Sequence, residues 1–153
     1  MKYNRFSKVA EGSQSATMDI AEDKGNIEVH SIGQIDRKIY KCITKDIRTD
    51  EVIITDNQIQ HIKDRHPEAY ERFSVWFGEI VRNPDYIVET PKPNTALILK
   101  EIITEKEKFK TVLRLATSVD NKEYKNSIIT FMKIDEKEWN RLLRNKRVLY
   151  KKE

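Results

Sequence analysis

The sequence holds one cysteine, Cys42, among 153 residues. No internal disulfide framework is open to it, and the composition suits a reducing compartment. A lone cysteine in a strand is ordinarily a small packed hydrophobe, although Lys41 and Lys45 nearby could lower its pKa. Four glycines occur and none forms a phosphate-cradling loop, so nucleoside-triphosphate chemistry has no support. No apolar run approaches a membrane span, and the start at Met1–Ala10 lacks an apolar signal region, so the expected location is the cytoplasm. The three histidines have no thiol or carboxylate cluster at ligand spacing, so neither a metal nor another cofactor is expected. Internal repeats are absent.

What is present is one domain's worth of chain, 38% hydrophobic and 35% charged, enough for a modest core. A net charge of +4 and a pI near 9.0 favour an anionic partner such as nucleic acid. Residues 1–31 carry few large apolar side chains and several breakers, and read as a polar, mobile leader. The globular domain is expected over residues 32–153.

Along that domain, Ile35, Ile39, Tyr40 and Ile43 suggest a strand over Gln34–Ile43, and Val52-Ile53-Ile54 a short buried one. Thr55-x-x-Gln58 is a capping box that starts a helix, with Asp56 as an alternative cap. His61 and Arg65, four apart, share one helix face. Pro67 disfavours helical geometry at His66 and suits the first turn of a new helix, so His66 is expected at a bend between two helices. The second helix is expected from Pro67 to about Arg82, with Tyr70, Phe73, Trp76, Phe77 and Ile80 as its core face, ending at Asn83-Pro84.

Strands follow at Tyr86–Val88, Thr95–Ile103, Phe109–Thr117 and Ser127–Ile134. Asp135-x-x-Glu138 is a second capping box, opening a helix to about Asn145, and Val148-Leu149-Tyr150 could add an edge strand. Three polar groups interrupt the apolar strands: Lys100, Arg114 and Thr130. Each has a plain structural reading, a snorkelling lysine or a threonine in a strand among them. Together, after a two-histidine helix, they suggest a site.

The order of elements and these residues resemble the barnase–EndoU–colicin–RelE (BECR) nuclease superfamily, specifically its phage-associated branch. The resemblance runs from about Ile32 to Tyr150. It is carried most specifically by His61-Ile62-Lys63-Asp64-Arg65-His66-Pro67 and Asn83-Pro84-Asp85-Tyr86, and less so by Leu99-Lys100 and Asn126-Ser127-Ile128-Ile129-Thr130. It implies an α+β fold, N-terminal helices packed on a four- to five-stranded antiparallel sheet, here with a C-terminal helix. It also implies metal-independent cleavage of RNA, tRNA among the candidates, often as a toxin or a phage or mobile-element effector met by an inhibitor or immunity protein. The chain lacks the larger phage-head or toxin-delivery module that such effectors can carry.

Carried over by motif, His61, His66, Lys100 and Thr130 are the expected catalytic groups. Arg65, Arg114 and Ser127 are the expected substrate-binding ones. The chemistry suits them: RNA supplies its own 2′-OH nucleophile, imidazoles transfer protons near neutral pH, and cations stabilise charge growing on phosphorus. The expectation is that His61, His66, Lys100 and Thr130 converge on one concave face, and that His66→Ala and Lys100→Ala each keep the wild-type melting temperature while cleavage falls roughly 10²-fold or more. A catalytically silent nucleic-acid- or protein-binding domain on the same fold is the competing reading.

Overall fold

A computed structural model describes residues 28–153. Most of the expected leader lies outside the described residues, but β1 (Val29–Gln34) begins inside the stretch assigned to it. Seven strands form one sheet in the order β1-β2-β6-β5-β4-β3-β7. The others are β2 (Glu51–Thr55), β3 (Tyr86–Val88), β4 (Thr95–Ile102), β5 (Glu107–Arg114), β6 (Asn126–Ile134) and β7 (Val148–Lys151). All neighbours are antiparallel except β2 and β6, which run parallel at Val52–Asn126 and Ile53–Ser127. The fold is α+β as expected, with more strands than the four or five anticipated.

Helices cover both faces unequally. On one face lie α1 (Arg37–Tyr40), α2 (Asp56–Arg65), α3 (Pro67–Phe73) and α4 (Phe77–Arg82); on the other lies α5 (Glu136–Asn145). Strand alternation makes this possible, since successive residues point to opposite sides. Ile98, Phe109 and Phe131 meet Ile62, Phe73 and Phe77 in the main core. Phe73–Phe109 and Phe77–Phe131 approach to 4.8 and 4.7 Å between ring centroids, and Phe109 and Phe131 stack at 5.1 Å. Each such pair contributes about 0.5–1.5 kcal/mol beyond its buried area. A smaller core forms where Trp139 and Leu142 of α5 pack on Val88 and Leu99.

Two expected elements differ. Gln34–Ile43 is not one strand. Ile35, Ile39 and Ile43 are spaced by four, a helical period, and Asp36 caps the single turn α1 by accepting from the Lys38 amide at 3.0 Å. Tyr40, fully buried, donates its hydroxyl to the Val81 carbonyl at 2.7 Å and ties this turn to α4.

The helix expected over Pro67–Arg82 breaks at a 3-10 turn, Ser74–Trp76. Val75 stays in solvent at the break, while Phe73 and Phe77, four apart on either side of it, both lie in the core. It also aims α4 across β1, where a side chain on Gly78 would sit 3.2 Å from the Ile32 carbonyl. Glycine is needed for that approach.

Candidate active site

The α2 start follows its sequence signature. The Thr55 hydroxyl accepts from the Gln58 amide and the Gln58 side chain accepts from the Thr55 amide, both at 3.2 Å. At the other end His66 is held by backbone on both sides. Its N–H donates to Ile62 O at 2.7 Å, and its carbonyl accepts from Ala69 and Tyr70 of α3. The elbow forced by Pro67 therefore fixes the Cα of His66 while its half-buried imidazole has no side-chain partner among the described residues. His61 and Arg65 stand exposed on α2, also without a partner there. Lys63 lies over the Tyr70 ring at 5.1 Å and braces the two helices.

Lys100 is elsewhere and occupied. Its side chain is 6% exposed, and Nζ donates to the Asn83 carbonyl at 2.6 Å, with Glu79 Oε2 and Asp85 Oδ1 each at 3.5 Å. The ammonium thus caps the chain leaving α4. Asp85 in turn accepts from the Glu101 amide at 2.8 Å, so the Asn83-Pro84-Asp85 turn is pinned to β4. Lys100, Asp85, Tyr86, Glu101, Trp139 and Lys152 line a cleft of about 460 Å³ at this edge.

Arg114, Ser127 and Thr130 lie on the face opposite α1–α4. The cross-strand row Thr95–Arg114–Ser127–Ile53 belongs to that face, as does Leu97–Val112–Thr130. Arg114 pairs with Asp120, Nη2 to Oδ1 at 2.9 Å and Nη1 to Oδ2 at 3.2 Å, and lies over the Tyr124 ring at 5.5 Å. Ser127 is buried, its hydroxyl without a hydrogen-bond partner among the described residues. Thr130 is half-buried, opposite Val112 of β5.

The expected convergence of four residues on one face does not occur. Lys100 is opposite Phe109, whose ring stacks on Phe131 in the main core; Thr130 precedes Phe131 and points the other way. The sheet itself separates Lys100 from Thr130. The sheet brings Arg114, Ser127 and Thr130 to the face opposite α1–α4, and α2 carries His61 and Arg65 up to the His66 elbow.

A second grouping was missed by sequence spacing. Pairing of β1 with β2 places His30 opposite Ile54 and carries it to Asp56, with Nε2 2.6 Å from Oδ1. Glu28 completes a set whose ligand atoms lie within 4.8 Å of one another, the one such metal-competent group among the described residues. It is a surface cluster, with His30 and Asp56 already bonded to each other. At Cys42, burial pushes the thiol pKa up, more than its own backbone hydrogen bond lowers it, so the flanking lysines do not activate it.

With this geometry in place, the comparison with family models is decisive. Residues 28–151 match the phage-Barnase-EndoU-ColicinE5/D-RelE-like nuclease 2 family. The chain belongs to this nuclease family. No curated protein and no solved structure matches it. The match covers the whole sheet and all five helices, and it starts one residue before β1. Within this nuclease domain the His61–Pro67 block forms the α2–α3 elbow. The Asn83–Tyr86 and Leu99-Lys100 motifs meet as one structural seam, with Tyr86 opposite Leu99.

Proposed function

We propose that this nuclease is an endoribonuclease that cleaves RNA, tRNA among its substrates, by attack of the 2′-OH and without a divalent metal. The observation that carries the reading is the α2 elbow, where His61, Arg65 and His66 stand with no side-chain partner among the described residues. One imidazole takes the proton of the 2′-OH as its oxygen bonds to phosphorus. The bond to the 5′-oxygen breaks, and the other imidazole returns a proton to that leaving group. The products are a 2′,3′-cyclic phosphate and a free 5′-OH. Arg65 offsets the negative charge that gathers on the non-bridging oxygens. His66 is base or acid and His61 its counterpart; the elbow is compatible with either order.

Lys100 has no direct part in this scheme, because its ammonium is committed to Asn83 O and two carboxylates. The net charge of +4 suits a polyanionic substrate. Among the described residues no helix is long and apolar enough to cross a membrane. We place the activity in the cytoplasm, as a toxin or phage or mobile-element effector, with an inhibitor or immunity protein as its natural counterpart.

One observation favours the silent binding domain instead: Lys100 and Arg114, two of the expected charge stabilisers, are neutralised internally. Incubation with total RNA and with tRNA, followed by mapping of product ends, separates the two. Cyclic 2′,3′-phosphate ends are expected. Intact RNA with measurable binding would establish the silent domain.

A further inference from the structure

We propose that the Asp120 carboxylate occupies a part-buried phosphodiester-binding site on the sheet face opposite α1–α4, and that an RNA phosphate takes its place. The site consists of the Arg114 guanidinium, the Thr117 amide and the Thr117 hydroxyl. It rests on the nuclease reading only in naming RNA as the source of the phosphate.

Four donors converge on this one carboxylate. Arg114 grips it with both terminal nitrogens, at 2.9 and 3.2 Å, and Oδ2 also accepts from Thr117 N at 2.7 Å and Thr117 Oγ1 at 3.2 Å. A phosphodiester presents the same pattern: two non-bridging oxygens sharing one negative charge. An arginine fork recognises both groups by the same geometry. Burial raises the Asp120 pKa, but the Thr117 amide and Arg114 outweigh it and hold the carboxyl below its usual range. The donors thus favour an anion at this place.

The loop is built so that the carboxylate can leave without the backbone following. Arg48 donates to the Thr117 carbonyl at 3.0 Å, the Asp120 carbonyl at 3.1 Å and the Tyr124 carbonyl, while its own N–H donates to Ala116 O. Asp120 is therefore anchored through its main chain, and rotation of its side chain alone would release both terminal nitrogens of Arg114 from the carboxylate, while Nη1 keeps its bond to the Leu115 carbonyl and the guanidinium stays over the Tyr124 ring. A quarter of the Arg114 side chain already reaches solvent. Its cross-strand partner Ser127 keeps a buried hydroxyl with no partner among the described residues, and half-buried Lys110, Val112, Thr130 and Met132 continue the face towards α5. The phosphate so bound lies across the sheet from the histidine elbow and serves affinity and orientation, not bond cleavage.

The test uses the full chain and a fluorescent, uncleavable 2′-O-methyl RNA oligonucleotide, with Kd read by anisotropy. Asp120→Asn should bind it about fivefold more tightly, the scale of releasing one part-exposed ion pair. Glu105→Gln, an exposed residue outside the loop, makes the same net-charge change and should leave Kd nearly unaltered. Adding Arg114→Gln to Asp120→Asn should erase the gain. Asp120→Asn binding no better than Glu105→Gln, or a gain that survives loss of Arg114, overturns the proposal.

Should Asp120→Asn fail to fold, carbon-13 NMR titration of the wild-type Asp120 carboxyl decides. Its depressed pKa should rise towards the ordinary range when the oligonucleotide saturates the protein, and an unchanged value overturns the proposal. Tighter binding without cleavage of ordinary RNA would refute the nuclease reading alone; cleavage without tighter binding would refute this site alone.

Discussion

Replacing Lys100 with alanine is expected to unfold the domain more readily, not merely to inactivate it. The ammonium is 6% exposed and makes a charged hydrogen bond to Asn83 O at 2.6 Å, an interaction worth about 1.5–3 kcal/mol. Two carboxylates share it at 3.5 Å. Glu79 is 43% exposed, so solvent screens its share, whereas Asp85 is 23% exposed and its loss of a partner costs more. Truncation also leaves the four-carbon stem's space empty beside β3 and β4. Removing one partner of such a buried arrangement costs about 3–5 kcal/mol. For a domain of this size that lowers the melting temperature by about 10 °C or more.

Lys100→Met, which refills the stem but leaves Asn83 O unpaired, should lose roughly half as much. Urea denaturation followed by far-ultraviolet circular dichroism gives the stability, and tRNA cleavage well below the transition gives the activity of the folded fraction. The residual folded Lys100→Ala should cleave within a few-fold of wild type. An unchanged melting temperature with cleavage abolished would refute this account and return Lys100 to the active site.

His61→Ala and His66→Ala should each keep the wild-type melting temperature, since neither imidazole has a side-chain partner among the described residues, while cleavage falls roughly 10²-fold. Stability loss at either position without a larger loss of rate would mark it as structural. Cleavage should proceed at nearly its full rate in excess EDTA; loss restored by a divalent metal would shift attention to Glu28, His30 and Asp56. Hydrogen bonding from Arg141, and then Lys110, outweighs burial to hold the Glu138 carboxyl at about 2, so its stabilisation is complete above the unfolded value near 4.5 and disappears as pH falls towards 2. Glu138→Gln should therefore be less stable than wild type at pH 7, by about 1 kcal/mol at this solvent-screened site, and equal to it near pH 2 in urea titrations. A chain lacking residues 1–27 should still melt cooperatively, and a truncated chain without structure would show that the first segment completes the core.

Local chemistry was legible in the sequence where the cause is local. Thr55 and Gln58 meet within one turn, and Pro67 acts on the residue beside it, so the α2 start and the His66 elbow could both be read directly. Asp135 likewise caps α5, accepting from the Glu138 amide at 2.8 Å. The second half of that box fails because the Glu138 carboxylate turns to Arg141 and Lys110 instead. Lys110 is 28 positions away, and nothing within α5 announces it.

Parity within a strand was legible too, but not its phase against other strands. Alternation correctly puts Lys100 beside Ile98 and Ile102, yet it cannot say that the Asn83 carbonyl waits on that side. In Ile128-Ile129-Thr130-Phe131-Met132 nearly every position is apolar, so no pattern tells which face Thr130 takes. A bulge then breaks the count: Thr130 lies opposite Val112, but Ile128 lies opposite Leu113, and Ile129 is the extra residue. Strict alternation would set Ser127 and Thr130, three apart, on opposite faces; the bulge puts both on the one opposite α1–α4. One inserted residue thus moved Ser127 beside Arg114 and left Thr130 across the sheet from Lys100. The place of Ser127 beside Arg114 depends on that shift, and removing Ile129 should flip one end of β6 and cost the packing of Ile128, while Arg114 keeps its face through its register with β4.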